Sequence, residues 1–541
     1  MLVLLTTADT EILAAAHAVR TLPGGFAPVR CANPYGVTDV DAFLDDLLAG
    51  ARVVVVRLLG GRRAWPEGVA ALRERCARDS VALLLMGGEA EPDAELAELS
   101  LAPAGTLGQA FEYLRHGGVE NTANLLRFLA DTLLLAGHGF APPQALPELG
   151  VYAPGRGDVE LDEALADHDP GRPTVGLVFY RSHRVTGNTA FVDALAEAIA
   201  GAGADPLCVW AYSLRPDADG RVPALELLDG RVDALVTTVL ASGGATGADG
   251  AVEGHGHWSE WRADALAGLG VPVVQALCAT TSRARWAASD AGLTPLDAAM
   301  QVAIPEFDGR IVGVPVSYKE PLDGIAAVGS PVLHYAPDRE RCARLAGLAV
   351  NHARLRRLEP AEARIAIVLS SFPTKHGRIG NAVGLDTPAS AMVLLDALAE
   401  AGYDVRHDFD GGDALIHALV VAGGHDHEFL TDAQLAGAEA RLPVADYEAW
   451  FATLPQALRD AVCETWGPPP GEWYVDDGDF VIAGLRLGNV FVAIQPPRGY
   501  GENPVAIYHD PDLAPSHHYL AAYRWLAARR GCGGRRGPGG P

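Results

Sequence analysis

The sequence predicts a multidomain α/β protein: several parallel-sheet units with helices on both faces. Three observations carry this. Short aliphatic runs end in glycine, alanine- and leucine-rich stretches of helical spacing lie between them, and 541 residues exceed a single core. The first strand and helix fall in MLVLLTTADTEILAAAHAVR, where Asp9 and Glu11 and the lack of a charged start exclude a signal peptide. Val53–Val56 before Gly60 and Gly61, and Val81–Leu85 before Gly87 and Gly88, read as strands buried on both faces, with a helix over Val69–Cys76 between them. Helical spacing recurs over Leu107–Arg115 and Thr122–Leu135, and the proline-rich stretch Ala141–Pro154 then closes an α/β head unit, residues 1–150. A second α/β unit, 151–335, opens with a strand into FYRSHRVTGNTAFVDAL, a helix over Phe191–Ile199, and strands at Ala234–Leu240, Val271–Leu277 and Ile311–Val316. The third unit, 336–530, restarts with the strand Ile365–Ser370 and ends on a single helix, so it reads as incomplete. The glycine-rich tail GCGGRRGPGGP, 531–541, cannot bury a core and is expected to be disordered.

Charge and cysteine usage exclude several classes. The net charge is -26, lysine occurs only at Lys319 and Lys375, and no basic stripe is available for a phosphate backbone, which argues against nucleic-acid binding. The seven cysteines are far apart with no CxxC pair and read as reduced thiols of a cytoplasmic protein. Arg127 and Asp131 interrupt the most apolar helical stretch, so no membrane span is expected. Walker, G-x-S-x-G and H-E-x-x-H patterns are all absent, and ATP binding by this chain is therefore not supported.

Polar density marks the candidate sites. Gln495–Leu526 gathers Arg498, Glu502, Tyr508, His509, Asp510, Asp512, His517, His518 and Tyr519 after a strand pattern, Asn489–Ile494, and before a helix with apolar positions Leu520, Tyr523 and Leu526. That places them at the end of a sheet strand, where open α/β sheets bind ligands, although a surface loop capping the next helix explains the same residues. Arg181, His183, Arg184, Asn188 and Thr189 lie between a strand and a helix, so the helix N-terminus and the arginines suit a carboxylate or amide. Capping by Asn188 or Thr189 with solvated arginines is the alternative. His255 and His257 in GHGHWSEW are a weak metal signal without a third ligand. SSFPTKHGRIGNAVGLDTPAS offers Lys375, His376 and Arg378 to an acidic ligand, with Asp386 or Thr387 capping the next helix. In PEFDGRI, turn chemistry alone explains Asp308 and Gly309.

Taken in order, FYRSHRVTGNTAFVDAL, GVPVVQAL (Gly270–Leu277), PEFDGRI, SSFPTKHGRIGNAVGLDTPAS and the Gln495–Leu526 loop resemble the large subunit of aerobic-type cobaltochelatase, the CobN type, over roughly 1–528. The related large subunit of magnesium chelatase shares the plan, but GNAVGLDTPAS is closer to the cobalt branch. The resemblance implies an ATP-dependent chelatase, a ligase of cobalamin biosynthesis, inserting Co²⁺ into hydrogenobyrinic acid a,c-diamide. ATP and Mg²⁺ would be used by AAA+ ATPase partner subunits and not bound here. It further implies corrinoid contacts from Arg181, Asn188, His376, Asn381 and Arg498, catalytic roles for His509 and Asp510, and metal contacts from His517 and His518. Family members are longer and continue into a strand and a G-K-H-G motif, so the switch to GCGGRRGPGGP implies a truncated or frame-shifted product, or a split gene with a complementing C-terminal half chain. The alternatives are a magnesium chelatase-like large subunit binding protoporphyrin IX and a non-catalytic corrinoid-binding fragment.

Overall fold

The computed structural model describes residues 1–89, 91–217, 219–240, 264–323, 328–371, 379–380, 382–425, 430–499, 509–510 and 512–528. The chain divides into two compact units, Met1–Arg357 and Leu358–Pro541. The predicted tail, 531–541, lies outside the described residues.

Aliphatic runs make the first sheet. Its four parallel strands lie in the order Val29–Ala32, Leu2–Thr6, Val53–Leu58, Ala82–Gly87, with Leu4 beside Cys31 and Val55. Because these strands are apolar on both sides, helices cover both faces and two cores form, one around Leu4, Leu13 and Phe128, the other around Val54, Leu72 and Leu85.

The second sheet has eight strands, in the order Leu333–Pro337, Ile311–Pro321, Val273–Ala279, Ala234–Thr237, Thr174–Tyr180, Asp205–Ala211, Leu149–Ala153, Gly157–Val159. The central five, Ile311–Pro321 to Asp205–Ala211, are parallel, and the outer strands pair antiparallel. Thr174–Tyr180 is the first of these five strands in chain order and sits between the second, Asp205–Ala211, and the third, Ala234–Thr237, so winding reverses beside it. This is a topological switch point.

The expected boundary at 335/336 moves to 357/358. Helix Arg339–Arg356 buries Cys342, Leu345, Ala346, Ala349, Val350 and Ala353, one face at helical spacing, on the core of the eight-stranded sheet. The two sheets also share one unit, because Val328 and Val332 return to the first core and the Cys31 amide donates to Val328 O at 2.6 Å.

The second unit is less parallel than the sequence suggests. Ile365–Leu369 pairs parallel with Val490–Ile494, which pairs antiparallel with Gly484–Leu487. Ala440–Pro443, Asp479–Ile482 and Val475–Asp476 form a small antiparallel sheet. Helix Thr387–Glu400, capped by Asp386 on the Ala389 amide at 3.1 Å, and helix Gly412–Ala422 cover one face of the first of these sheets. Helix His517–Ala528 packs on the other face through Ala521, Ala522 and Trp525. The buried side of that helix is thus His517, His518, Ala521, Ala522 and Trp525, and Tyr523 stays exposed. Carbonyl partners for both histidines make their burial possible. No helix among the described residues is long and apolar enough to cross a membrane.

Candidate functional site

In the second unit, helix Gln456–Trp466 runs into the loop Gly467–Trp473, which folds over the start of helix His517–Ala528. Between them lies a cavity of about 290 Å³ lined by Trp466, Glu472, Trp473, Ser516, His517 and His518. Gly471, at φ +78°, takes the left-handed backbone that turns the loop over His517. Trp466 is fixed by its Nε1, which donates to Ala514 O at 2.7 Å.

Two hydrogen bonds set the His517 tautomer. Nε2 faces Gly467 O at 3.0 Å and must donate, so Nδ1 accepts from the Tyr447 hydroxyl at 2.9 Å. His518 donates from Nε2 to Val481 O at 2.8 Å, stacks on Tyr474 at 4.4 Å, and lies 5.2 Å from His425. His425 bonds Ile494 O through Nε2 at 3.1 Å, and the Tyr474 hydroxyl donates to His425 O at 2.6 Å. Burial pushes His425 down to about 4 and, with the neighbouring His425, His518 down to about 3; burial also lowers His517. All three rings are therefore neutral near pH 7, the form that accepts a proton or donates a lone pair.

The other predicted residues of this segment differ in exposure. Arg498 is half-buried, its guanidinium donates to Leu513 O, and its own carbonyl accepts the Ser516 amide at 2.8 Å, which pins the loop that carries the histidines. His509 and Asp510 are exposed, and Asp510 accepts the Asp512 amide at 2.9 Å. His376, Asn381, Lys375, Arg378, Glu502, Tyr508, His255 and His257 lie outside the described residues. Among the described residues no group of three or more His, Cys, Asp or Glu side chains is arranged to hold a metal. His425 and Tyr447 escape the sequence reading. The H-D-H triplet at 425–427 repeats the two-residue histidine spacing of GHGH and is a usable signal for His425; nothing local marks Tyr447.

The switch point of the eight-stranded sheet uses its polar residues differently. Arg181, expected to face a ligand or solvent, is buried and donates to Pro147 O at 2.7 Å, His116 O at 2.8 Å and Leu146 O at 3.4 Å, because its guanidinium holds the incoming connector. Asn188 does not cap the following helix: its Oδ1 accepts the Tyr335 amide at 3.0 Å, and Thr189 at the cap makes no capping bond, its Oγ1 instead accepting from the Tyr152 hydroxyl at 3.3 Å. His183 is packed edge-on between Phe191 at 5.1 Å and Tyr335 at 5.4 Å, and burial together with Lys319 pushes it down to about 4. Asp308 does more than shape a turn. It forms a fully buried ion pair with Arg310, which also donates to Gln275 Oε1 at 2.6 Å and to Val239 O.

Comparison with known proteins matches residues 111–532 to the CobN/Magnesium Chelatase family. The chain is 39% identical over 525 residues to the aerobic cobaltochelatase CobN of Pseudomonas aeruginosa, covering 96% of this chain and 41% of that protein. It is 28% identical over 436 residues to the large, H-type magnesium-chelatase protein of Rhodobacter capsulatus, covering 76% of this chain and 34% of that protein. The solved structure of the catalytic subunit of cobaltochelatase from Mycobacterium tuberculosis superposes with a TM-score of 0.69 at 47% identity, over 97% of this chain and 41% of that one. The chain thus spans about two fifths of the length of these cobaltochelatase relatives, and it belongs to the CobN/magnesium chelatase family.

Proposed function

We propose that the chain is the tetrapyrrole-binding part of a cobaltochelatase large subunit, which inserts Co²⁺ into hydrogenobyrinic acid a,c-diamide in an ATP-dependent ligase reaction of cobalamin biosynthesis. The observation that carries the reading is that similarity to cobaltochelatase relatives runs over nearly the whole chain, whereas the magnesium chelatase relatives match a shorter stretch at lower identity. ATP and Mg²⁺ belong to AAA+ partner subunits in this reading, and Co²⁺ is a substrate.

The histidine pocket is the contact point for the macrocycle. At about 290 Å³ it lies at the low end of the usual range for small-molecule sites, about 300–1,000 Å³, so it takes an edge of the ring and not the whole of it. Trp466 and Trp473 supply apolar walls, and Arg498 fixes the loop and offers charge to peripheral carboxylates. Metal insertion requires the inner N–H protons to leave. His517 is the candidate to hold one: with Nδ1 protonated, the Tyr447 hydroxyl hydrogen turns away and its oxygen accepts, while Nε2 keeps its bond to Gly467 O. His518, neutral on the same cavity wall, is the candidate for contact with the metal, and exposed His509 and Asp510 pass protons out to solvent and the cation in from it. His376 and Asn381 remain candidates for the ring periphery. Arg181 and Asn188 are assigned to holding the switch-point edge of the first unit.

The test is a spectroscopic titration of the purified chain with hydrogenobyrinic acid a,c-diamide beside protoporphyrin IX. Saturable binding of the corrinoid alone supports the assignment. Preference for the porphyrin moves the chain to the magnesium branch, and binding of neither by a folded sample removes the pocket from the reaction.

A further inference from the structure

The cavity beneath the Gly467–Trp473 loop has a charge character that the roles given to its histidines leave unused. Among the described residues that line it, Glu472 is the only charged one: lysine and arginine are absent from the wall, and burial keeps His517 and His518 neutral near pH 7. Glu472 is exposed, lies on the loop itself, and makes no hydrogen bond or ion pair with any described residue. The cavity therefore carries one carboxylate with no cation to offset it.

Neutral donors on the same wall are already committed. Trp466 gives its Nε1 proton to Ala514 O at 2.7 Å, Thr465 its hydroxyl proton to Ala461 O at 2.8 Å, and His517 and His518 their Nε2 protons to Gly467 O and Val481 O at 3.0 and 2.8 Å. The Ser516 hydroxyl accepts the Tyr519 amide at 3.3 Å and keeps a proton to give. An entering group thus meets the Glu472 carboxylate as acceptor and the Ser516 hydroxyl as donor. A carboxylate arm suits this wall badly, because it brings acceptors alone and would stand beside Glu472 with no cation between them. A primary amide suits it: the NH₂ donates to Glu472, the oxygen accepts from Ser516, and no net charge has to leave water.

We propose that Glu472 is a specificity-determining residue of this site: it accepts the N–H groups of a primary-amide arm on the edge of the macrocycle and turns away the same edge when it carries carboxylates. Arg498 is not among the residues lining the cavity, so carboxylate arms elsewhere on the ring are its share. This role of Glu472 rests on the assignment of the pocket to the macrocycle. Because Glu472 is exposed, its discrimination is moderate and is screened by salt.

The experiment titrates the purified chain with hydrogenobyrinic acid a,c-diamide and with the same macrocycle carrying carboxylates in place of the two amides, each at low and at high ionic strength. The parent is expected to bind the diamide about tenfold more tightly at low ionic strength and to lose part of that preference in high salt. Glu472→Gln keeps an acceptor oxygen and removes the charge; its preference is expected to fall to about twofold or less, chiefly through tighter binding of the carboxylate form. Glu472→Lys is expected to reverse the preference, and both variants, at an exposed loop position, should melt with the parent. Glu464→Gln removes the same charge from an exposed residue of helix Gln456–Trp466 that does not line the cavity, and should keep the parental preference. A parent without preference, a preference that the Glu472 variants leave unchanged, or an equal loss in Glu464→Gln overturns the role of Glu472 while diamide binding keeps the pocket assignment standing. Binding of neither macrocycle by folded parent overturns both.

Discussion

At the end of strand Thr174–Tyr180, Arg181 binds three carbonyls, Asn188 holds the Tyr335 amide, and the Arg310–Asp308 pair is sealed beneath. At the start of helix His517–Ala528, His517 and His518 also bind carbonyls, yet they line a cavity of about 290 Å³. Both regions join strands to helices with dense polar residues. Arg181, Asn188 and Arg310 are consumed in joining segments of one unit, whereas the Gly467–Trp473 loop leaves space beside its histidines. A cavity of about 220 Å³ also lies beside the switch point, but it is lined by Asp158, Arg184 and Trp210 and not by Arg181, Asn188 or Arg310. Polar density alone does not separate a joint from a site; whether those polar side chains themselves face the space does.

Substitutions in the two regions should therefore separate stability from binding. The largest effect is expected for Arg310→Met, which strands the Asp308 carboxylate in the interior. It should cost about 3–5 kcal/mol in denaturant unfolding, because a buried charge loses its partner. Arg310→Met protein that unfolds at the parental denaturant concentration would mean that water reaches this pair.

Next comes pH. His425 and His518 have folded pKa values of about 4 and about 3, below the ordinary 6.5, so the unfolded chain binds more protons between these values. Their stabilising contribution is full above pH 6.5 and is lost as pH falls toward 4 and then 3, at up to about 1.4 kcal/mol per pH unit for each ring. His183, at about 4, acts in the same direction in the first unit. With two such rings in contact, the second unit should lose amide-exchange protection more steeply between pH 6.5 and 4.5; equal slopes would break the comparison.

A smaller effect follows from Tyr447→Phe, which leaves His517 Nδ1 without its donor. About 1–3 kcal/mol of stability should go, together with a pH-dependent loss of corrinoid affinity that a purely structural role would not produce. The smallest is Asp386→Ala, a lost helix cap worth about 1 kcal/mol by thermal melting, with corrinoid affinity unchanged.

Much of this architecture is legible in the chain itself. Val53–Leu58, Ala82–Gly87 and Thr174–Tyr180 are continuous apolar runs, and each is a parallel strand buried on both faces. The family resemblance, drawn from long motifs, agrees with the comparisons. Other features depend on residues far apart in sequence. The antiparallel sheet of Ala440–Pro443, Asp479–Ile482 and Val475–Asp476 is made of strands of two to four residues, too short to show a period. The contact of Tyr447 with His517 spans 70 positions, and the reach of Arg310 to Val239 spans 71. The buried face of helix His517–Ala528 runs against hydrophobic periodicity because Gly467 O and Val481 O satisfy its histidines.

The most direct test is amide exchange of the chain with and without saturating hydrogenobyrinic acid a,c-diamide. Slowed exchange concentrated in 465–474 and 514–518, and unchanged exchange in 181–189, is the predicted pattern. Protection at 181–189 with none around His517 would contradict the assignment and return the ligand to the switch point of the eight-stranded sheet.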